Sequence, residues 1–121
     1  EDYVARRRSG FGYAVDSSVI ATRGILTSVF SEMPSVRVER ARAGQFVLTL
    51  PATRGGQCAA TVWIDGVYQR DFTELNALHT NEIAAVEVYP HAFSVPAQFI
   101  PPGSAGVCGA VIVWTKWAFG G

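Results

Sequence analysis

Val62-Trp63-Ile64-Asp65-Gly66 is the stretch on which the reading of this chain turns. Its β-branched and aromatic residues predict a strand, and Asp65-Gly66 predicts the turn that ends it. Two later runs have the same character: Ile83-Ala84-Ala85-Val86-Glu87-Val88-Tyr89 and Cys108-Gly109-Ala110-Val111-Ile112-Val113-Trp114-Thr115-Lys116. Each is short and carries a polar or glycine interruption at a fixed place. The last is apolar at nearly every position up to Trp114, which predicts a central strand covered on both faces.

Working outward, Asp16-Ser17-Ser18 is a helix start signal, since these side chains accept from free backbone N–H groups. Ile20, Ile25, Leu26, Val29, Phe30 and Met33 then suit one face of a helix over 17–33. Gly24 weakens that helix by about 1 kcal/mol relative to alanine, and Pro34 ends it. Val36 to Arg40 alternates apolar and charged, and Gln45 to Leu50 follows as its hairpin partner. Asp71 to Leu78 reads as a loop or short helical turn, and Pro96 can open one turn holding Ala97, Gln98 and Phe99. One helix followed by several strands predicts a single small α+β domain over 1–121, with a helix packed on a mixed sheet of about four to six short strands. Residues 1–14 form a basic leading segment and 117–121 an aromatic tail.

Composition bounds the function. Hydrophobic residues are 49% of the 121, enough for a core, and the formal net charge is zero. A neutral chain offers no field for nucleic acid. No run approaches the ~18 apolar residues of a membrane-spanning helix, and no signal-peptide pattern is present. Cys58 and Cys108 are one possible pair. A bridge between them would close a loop of about 50 residues and stabilise by roughly 4 kcal/mol. Two buried free thiols are the alternative.

The predicted helix with Met33-Pro34-Ser35-Val36-Arg37-Val38, then Trp63-Ile64-Asp65-Gly66-Val67, Ile83 to Tyr89 and Gly109 to Lys116, together resemble the plug domain of TonB-dependent outer-membrane receptors. The resemblance spans roughly 15–116. It departs at Ser35, where the family has glycine, and at Pro90-His91-Ala92, where the family has arginine-glycine-proline. With Arg6-Arg7-Arg8-Ser9-Gly10-Phe11-Gly12 and the two cysteines, the chain is similar to a barrel-less subset found behind carboxypeptidase-regulatory-like domains. That likeness implies a plug-like fold, a Cys58–Cys108 disulfide, and a place in the periplasm or at the outer membrane. It also carries the expectation that no barrel follows the domain.

Catalytic signals are weak. His79 and His91 are the only histidines, and no serine lies in a nucleophile setting. Asp65 is expected to bond its own turn backbone, and Glu87 to face solvent or an ion-pair partner. A zinc site from Cys58, Cys108, His79 and His91 lacks any close ligand pair. No cofactor, metal or enzymatic activity is therefore expected. Aromatic residues are the stronger hint. Phe93 and Phe99 lie in a proline-rich loop, and Trp117 and Phe119 in the tail; all four are expected at a partner surface. Arg6, Arg7 and Arg8 are a candidate electrostatic guide. The expected role is an accessory, non-enzymatic domain that docks on a membrane-associated protein assembly. The alternatives are a small-ligand or glycan module stacking on Trp63, Tyr68 and Tyr89, and the detached plug of an outer-membrane transporter.

Overall fold

Asp16 closes the first strand and opens the first helix. A computed structural model describes residues 12–41, 44–52, 55–101 and 108–117. Strand β1, Tyr13–Asp16, runs directly into helix α1, Ser17–Arg23, and the Asp16 carboxylate accepts the Ser18 N–H at 3.1 Å. The helix expected over 17–33 is two helices. Gly24 takes φ 79°, outside the helical region, and α2 restarts at Leu26–Ser31. Glycine is the residue that adopts positive φ without steric cost, so it breaks the helix where a weakening alone was expected. The break leaves Ile25 exposed while Ile20, Leu26, Val29, Phe30 and Met33 still point inward. Ser35 also sits at positive φ, 72°, so the turn into the next strand is made in a conformation that serine adopts at a cost.

Strands β2, Arg37–Arg40, and β3, Phe46–Pro51, form the expected hairpin. Strand β4, Gln57–Ala59, adds to β3 and completes a three-stranded sheet. Ala60 then carries the chain across: its N–H donates to Leu48 of that sheet, while Thr61 N–H donates to Gly109. Strand β5, Thr61–Ile64, thereby enters a five-stranded sheet in the order β1, β7 (Ile83–Tyr89), β8 (Ala110–Thr115), β5, β6 (Val67–Gln69). Asp65 and Gly66 hold φ of 53° and 84°, as a two-residue hairpin turn requires, and lead into β6, Val67–Gln69. Helix α3, Thr73–Ala77, is anchored by Asn76, which accepts the Phe46 N–H and donates to the Phe46 and Phe72 carbonyls. Strands β7, Ile83–Tyr89, and β8, Ala110–Thr115, lie side by side in the sheet interior, and β8 pairs parallel to β5.

One face of the five-stranded sheet presents Val62, Val86, Val88, Val111 and Val113 to the main core. That core is closed by Ile20 and Phe30 of the helices and by Phe46 and Leu48 of the smaller sheet. Phe30 is fully buried, so truncating it to alanine costs about 3–5 kcal/mol. The opposite face holds a second cluster of Trp63, Tyr89, Val95, Phe99, Ala110 and Ile112. The architecture is a small α+β domain with a plug-like arrangement of short helices on mixed sheets.

Candidate functional site

The second face collects Trp63, Glu87, Tyr89 and Phe99, four of the residues that the sequence marked. Side chains alternate along a strand, so Glu87 and Tyr89 on β7, Ile112 and Trp114 on β8, and Trp63 on β5 share it. Two single-turn 3-10 helices, Ala92–Ser94 and Ala97–Phe99, strap across one part of it. Pro96 caps the second, as its fixed φ suits a helix start. The strap drives Phe99 down between two tryptophans. Its ring meets Trp63 at 5.4 Å and Trp114 at 6.5 Å, both edge-on. Phe99 is therefore a buried wedge and not a partner contact, correcting that expectation.

Glu87 departs furthest from its reading. It does lie opposite Val86 and Val88, but it is 1% exposed and faces no solvent. Its Oε1 accepts the Tyr89 hydroxyl at 2.6 Å and its Oε2 accepts the Trp114 Nε1–H at 2.6 Å. A carboxyl is the side chain that accepts from two donors at once, which is why it sits in an aromatic layer. Trp63 is the contrast. Its Nε1–H is buried and, among the described residues, has no acceptor.

Several candidates have structural work. The Asp65 carboxylate bonds not its own turn but Thr115, accepting the backbone N–H at 2.7 Å and the hydroxyl at 2.6 Å. It thus ties the β5–β6 turn to the end of β8, a contact between positions too distant in sequence to be read there. His79 makes a capping box with Glu82 at the start of the 3-10 helix Thr80–Glu82. His91 stacks on Phe93, with ring centroids 5.2 Å apart. Cys58 and Cys108 are disulfide-bonded, with Cα atoms 6.3 Å apart, so neither thiol is free for zinc. The bridge joins the edge of the smaller sheet to the segment entering β8. Gly109 follows it so tightly that a Cβ there would strike the Tyr89 carbonyl and the Leu50 side chain. Among the described residues, no three His, Cys, Asp or Glu side chains gather as a metal set.

The expected partner residues divide. Arg6, Arg7, Arg8 and Phe119 lie outside the described residues. Phe93 and Trp117 are exposed, at 85% and 88%. They are not one patch. Tyr89 pairs with Ala110 and Ile83 with Thr115, so Phe93 follows one end of β7 and Trp117 follows β8 past the other. At about 3.4 Å per residue the two ends of β7 that they follow lie roughly 20 Å apart. The stacking trio fares differently: Trp63 and Tyr89 are buried, and Tyr68 alone offers an open ring, tilted on Trp63 at 5.5 Å. An open cleft of about 930 Å³ lies elsewhere, between Leu26, Phe46, Asn76, Leu78, His79 and Glu82. Its Asn76 amide is already fully engaged.

The Asp71 carboxyl is held below the ordinary aspartate value by the Thr73 backbone N–H and then by the Thr73 hydroxyl.

No protein-family model and no curated protein matches the chain. A chain in the structure of the FpvAI–pyocin S2 complex is similar in fold, with a TM-score of 0.59 at 16% sequence identity. The match covers 87% of this chain and 14% of that one, so the fold stands there as a small part of a much longer polypeptide.

Proposed function

We propose that this chain is a non-enzymatic, extracytoplasmic docking domain, an accessory piece that attaches to a larger membrane-associated protein assembly. The exposure of Trp117 and Phe93 carries the reading. The fold buries Trp63, Phe99 and Tyr89 under a strap, yet leaves these two rings in water at opposite ends of the same sheet. Large exposed aromatics contribute most when a partner covers them. The Cys58–Cys108 bridge supports an oxidising compartment. Among the described residues no helix is long and apolar enough to cross a membrane, so attachment through a protein partner fits. The carboxyls of buried Glu87 and half-buried Asp65 are engaged in holding strands together, which argues against a catalytic use for either.

A photo-reactive phenylalanine analogue at position 93 or 117, irradiated in membranes of the source, tests this. The expected result is a discrete adduct with one partner protein from at least one position. No adduct from either position sinks the proposal. A second reading is the plug of a longer receptor. It is favoured by the fold match, which places a similar unit within 14% of a long chain, and a parent gene encoding a barrel after Gly121 would establish it.

A further inference from the structure

We infer that the free edge of β6 pairs with the β6 edge of a second copy of this chain, continuing the five-stranded sheet across two molecules. Hydrogen-bond direction alternates along a strand. Thr61 and Asp65 of the β5 segment send their N–H groups toward β8, to Gly109 and Val113. Trp63 lies midway between them and shares their direction, so Val62 and Ile64 bond β6. Tyr68 is opposite Trp63 in the hairpin register. Its N–H and C=O therefore point away from β5, out of the sheet. Among the described residues nothing pairs with them: β6 is the last strand in the order.

Such edges are ordinarily blunted by charge or covered. The outer strand of the smaller sheet follows that rule, with Arg37, Glu39 and Arg40 along it. Strand β6 does not. It reads Val67-Tyr68-Gln69, with no charge, and Val67 and Tyr68 are 61% and 41% exposed. An extended backbone is what complements one outward N–H and C=O pair. A second copy meets the requirement about a two-fold axis at Tyr68. Each Tyr68 then donates to and accepts from its counterpart, and Val67 lies opposite Gln69. The interface is isologous and closes on itself. The two tyrosine rings fall on one face as a cross-strand aromatic pair. Zero net charge and an uncharged strand leave no repulsion between the copies.

Tyr68→Pro is the diagnostic variant. Proline removes the outward donor together with the ring that leans on Trp63, and it is tolerated on an edge strand whose N–H faces solvent, so the monomer keeps its fold. Sedimentation equilibrium of the whole chain, from about 10 μM to about 1 mM, is the assay, in the range where a small interface associates. Reversible dimers are expected, weakened about tenfold or more by Tyr68→Pro, with the far-UV circular dichroism and cooperative melting of a folded chain retained. Val67→Lys, which places a charge on the edge without touching its donor, is expected to weaken them too. A monomer throughout that range overturns the inference, as does a dimer insensitive to both variants. If Tyr68→Pro itself unfolds, Val67→Lys and slowed, concentration-dependent exchange of the Tyr68 amide decide the matter.

Discussion

Replacing Glu87 by leucine removes one acceptor pair and leaves the rest of the aromatic layer in place. The Tyr89 hydroxyl and the Trp114 Nε1–H both donate to this carboxyl, and Glu87 is fully enclosed. Leucine fills most of the volume but accepts nothing. Losing each of these two hydrogen bonds costs about 1–3 kcal/mol, so the variant loses roughly 4 kcal/mol in all. At roughly 4 °C per kcal/mol for a domain of this size, the melting temperature falls by about 15 °C. Thermal unfolding followed by far-UV circular dichroism measures it directly. The cause can be separated from the volume change. In a Trp114→Phe background one donor is already gone, so Glu87→Leu costs about 1–3 kcal/mol less there than in the parent. A melting temperature within 3 °C of the parent for Glu87→Leu, or full additivity with Trp114→Phe, refutes the role assigned to this carboxyl; both thresholds lie well inside the expected effects.

The reason the sequence misled about Glu87 is instructive. Alternation along Ile83 to Tyr89 correctly placed Glu87 opposite Val86 and Val88. It could not show that the opposite face is roofed by the segment from Ala92 to Phe99, because that packing is non-local. Tyr89 and Trp114, two hydrogen-bond donors on the same face, were the available signal. The strands around Val62, Val86 and Val111 were legible because each is a dense apolar run with its own punctuation. Strand β4 was missed: Gln57-Cys58-Ala59 has no apolar alternation and owes its pairing to β3. Strand β6 was missed too, being fixed by the Asp65-Gly66 turn more than by its own three residues. The helix over 17–33 was legible in its buried face and not in its break, since periodicity survives a one-residue interruption at Gly24. At the candidate site, exposure was foreseen for Phe93 and Trp117 but not the burial of Phe99, whose local sequence resembles that of an open loop.

Three more predictions follow from single observations. Ser35 holds φ 72°, so Ser35→Gly relieves a left-handed serine and stabilises by about 0.5–1 kcal/mol, read as a raised urea midpoint at unchanged slope; an unchanged or lowered midpoint contradicts it. The Cys58–Cys108 bridge spans 50 residues of sequence, so its reduction, or the Cys58→Ser/Cys108→Ser double variant, costs roughly 4 kcal/mol in the chain-entropy model. Equal melting with and without reductant would show that the bridge contributes nothing. Asp71 titrates below its unfolded value, so its contribution is present above the ordinary aspartate range and is lost as pH falls through the folded value. Carboxyl-resonance titration by NMR should place Asp71 below a free aspartate in the parent and return it toward that value in Thr73→Ala, where the hydroxyl is gone.

The central claim is docking through exposed aromatic rings, and affinity capture from membranes of the source tests it most directly. The parent chain and the Trp117→Ala and Phe93→Ala variants would be used as bait in parallel, with quantitative mass spectrometry of what each retains. Because both rings are exposed, neither variant should change stability by more than about 0.5 kcal/mol. The account predicts one stoichiometric membrane assembly with the parent, and its loss with at least one variant that still folds. Retention of nothing beyond the bait itself, or equal recovery by all three chains, contradicts it.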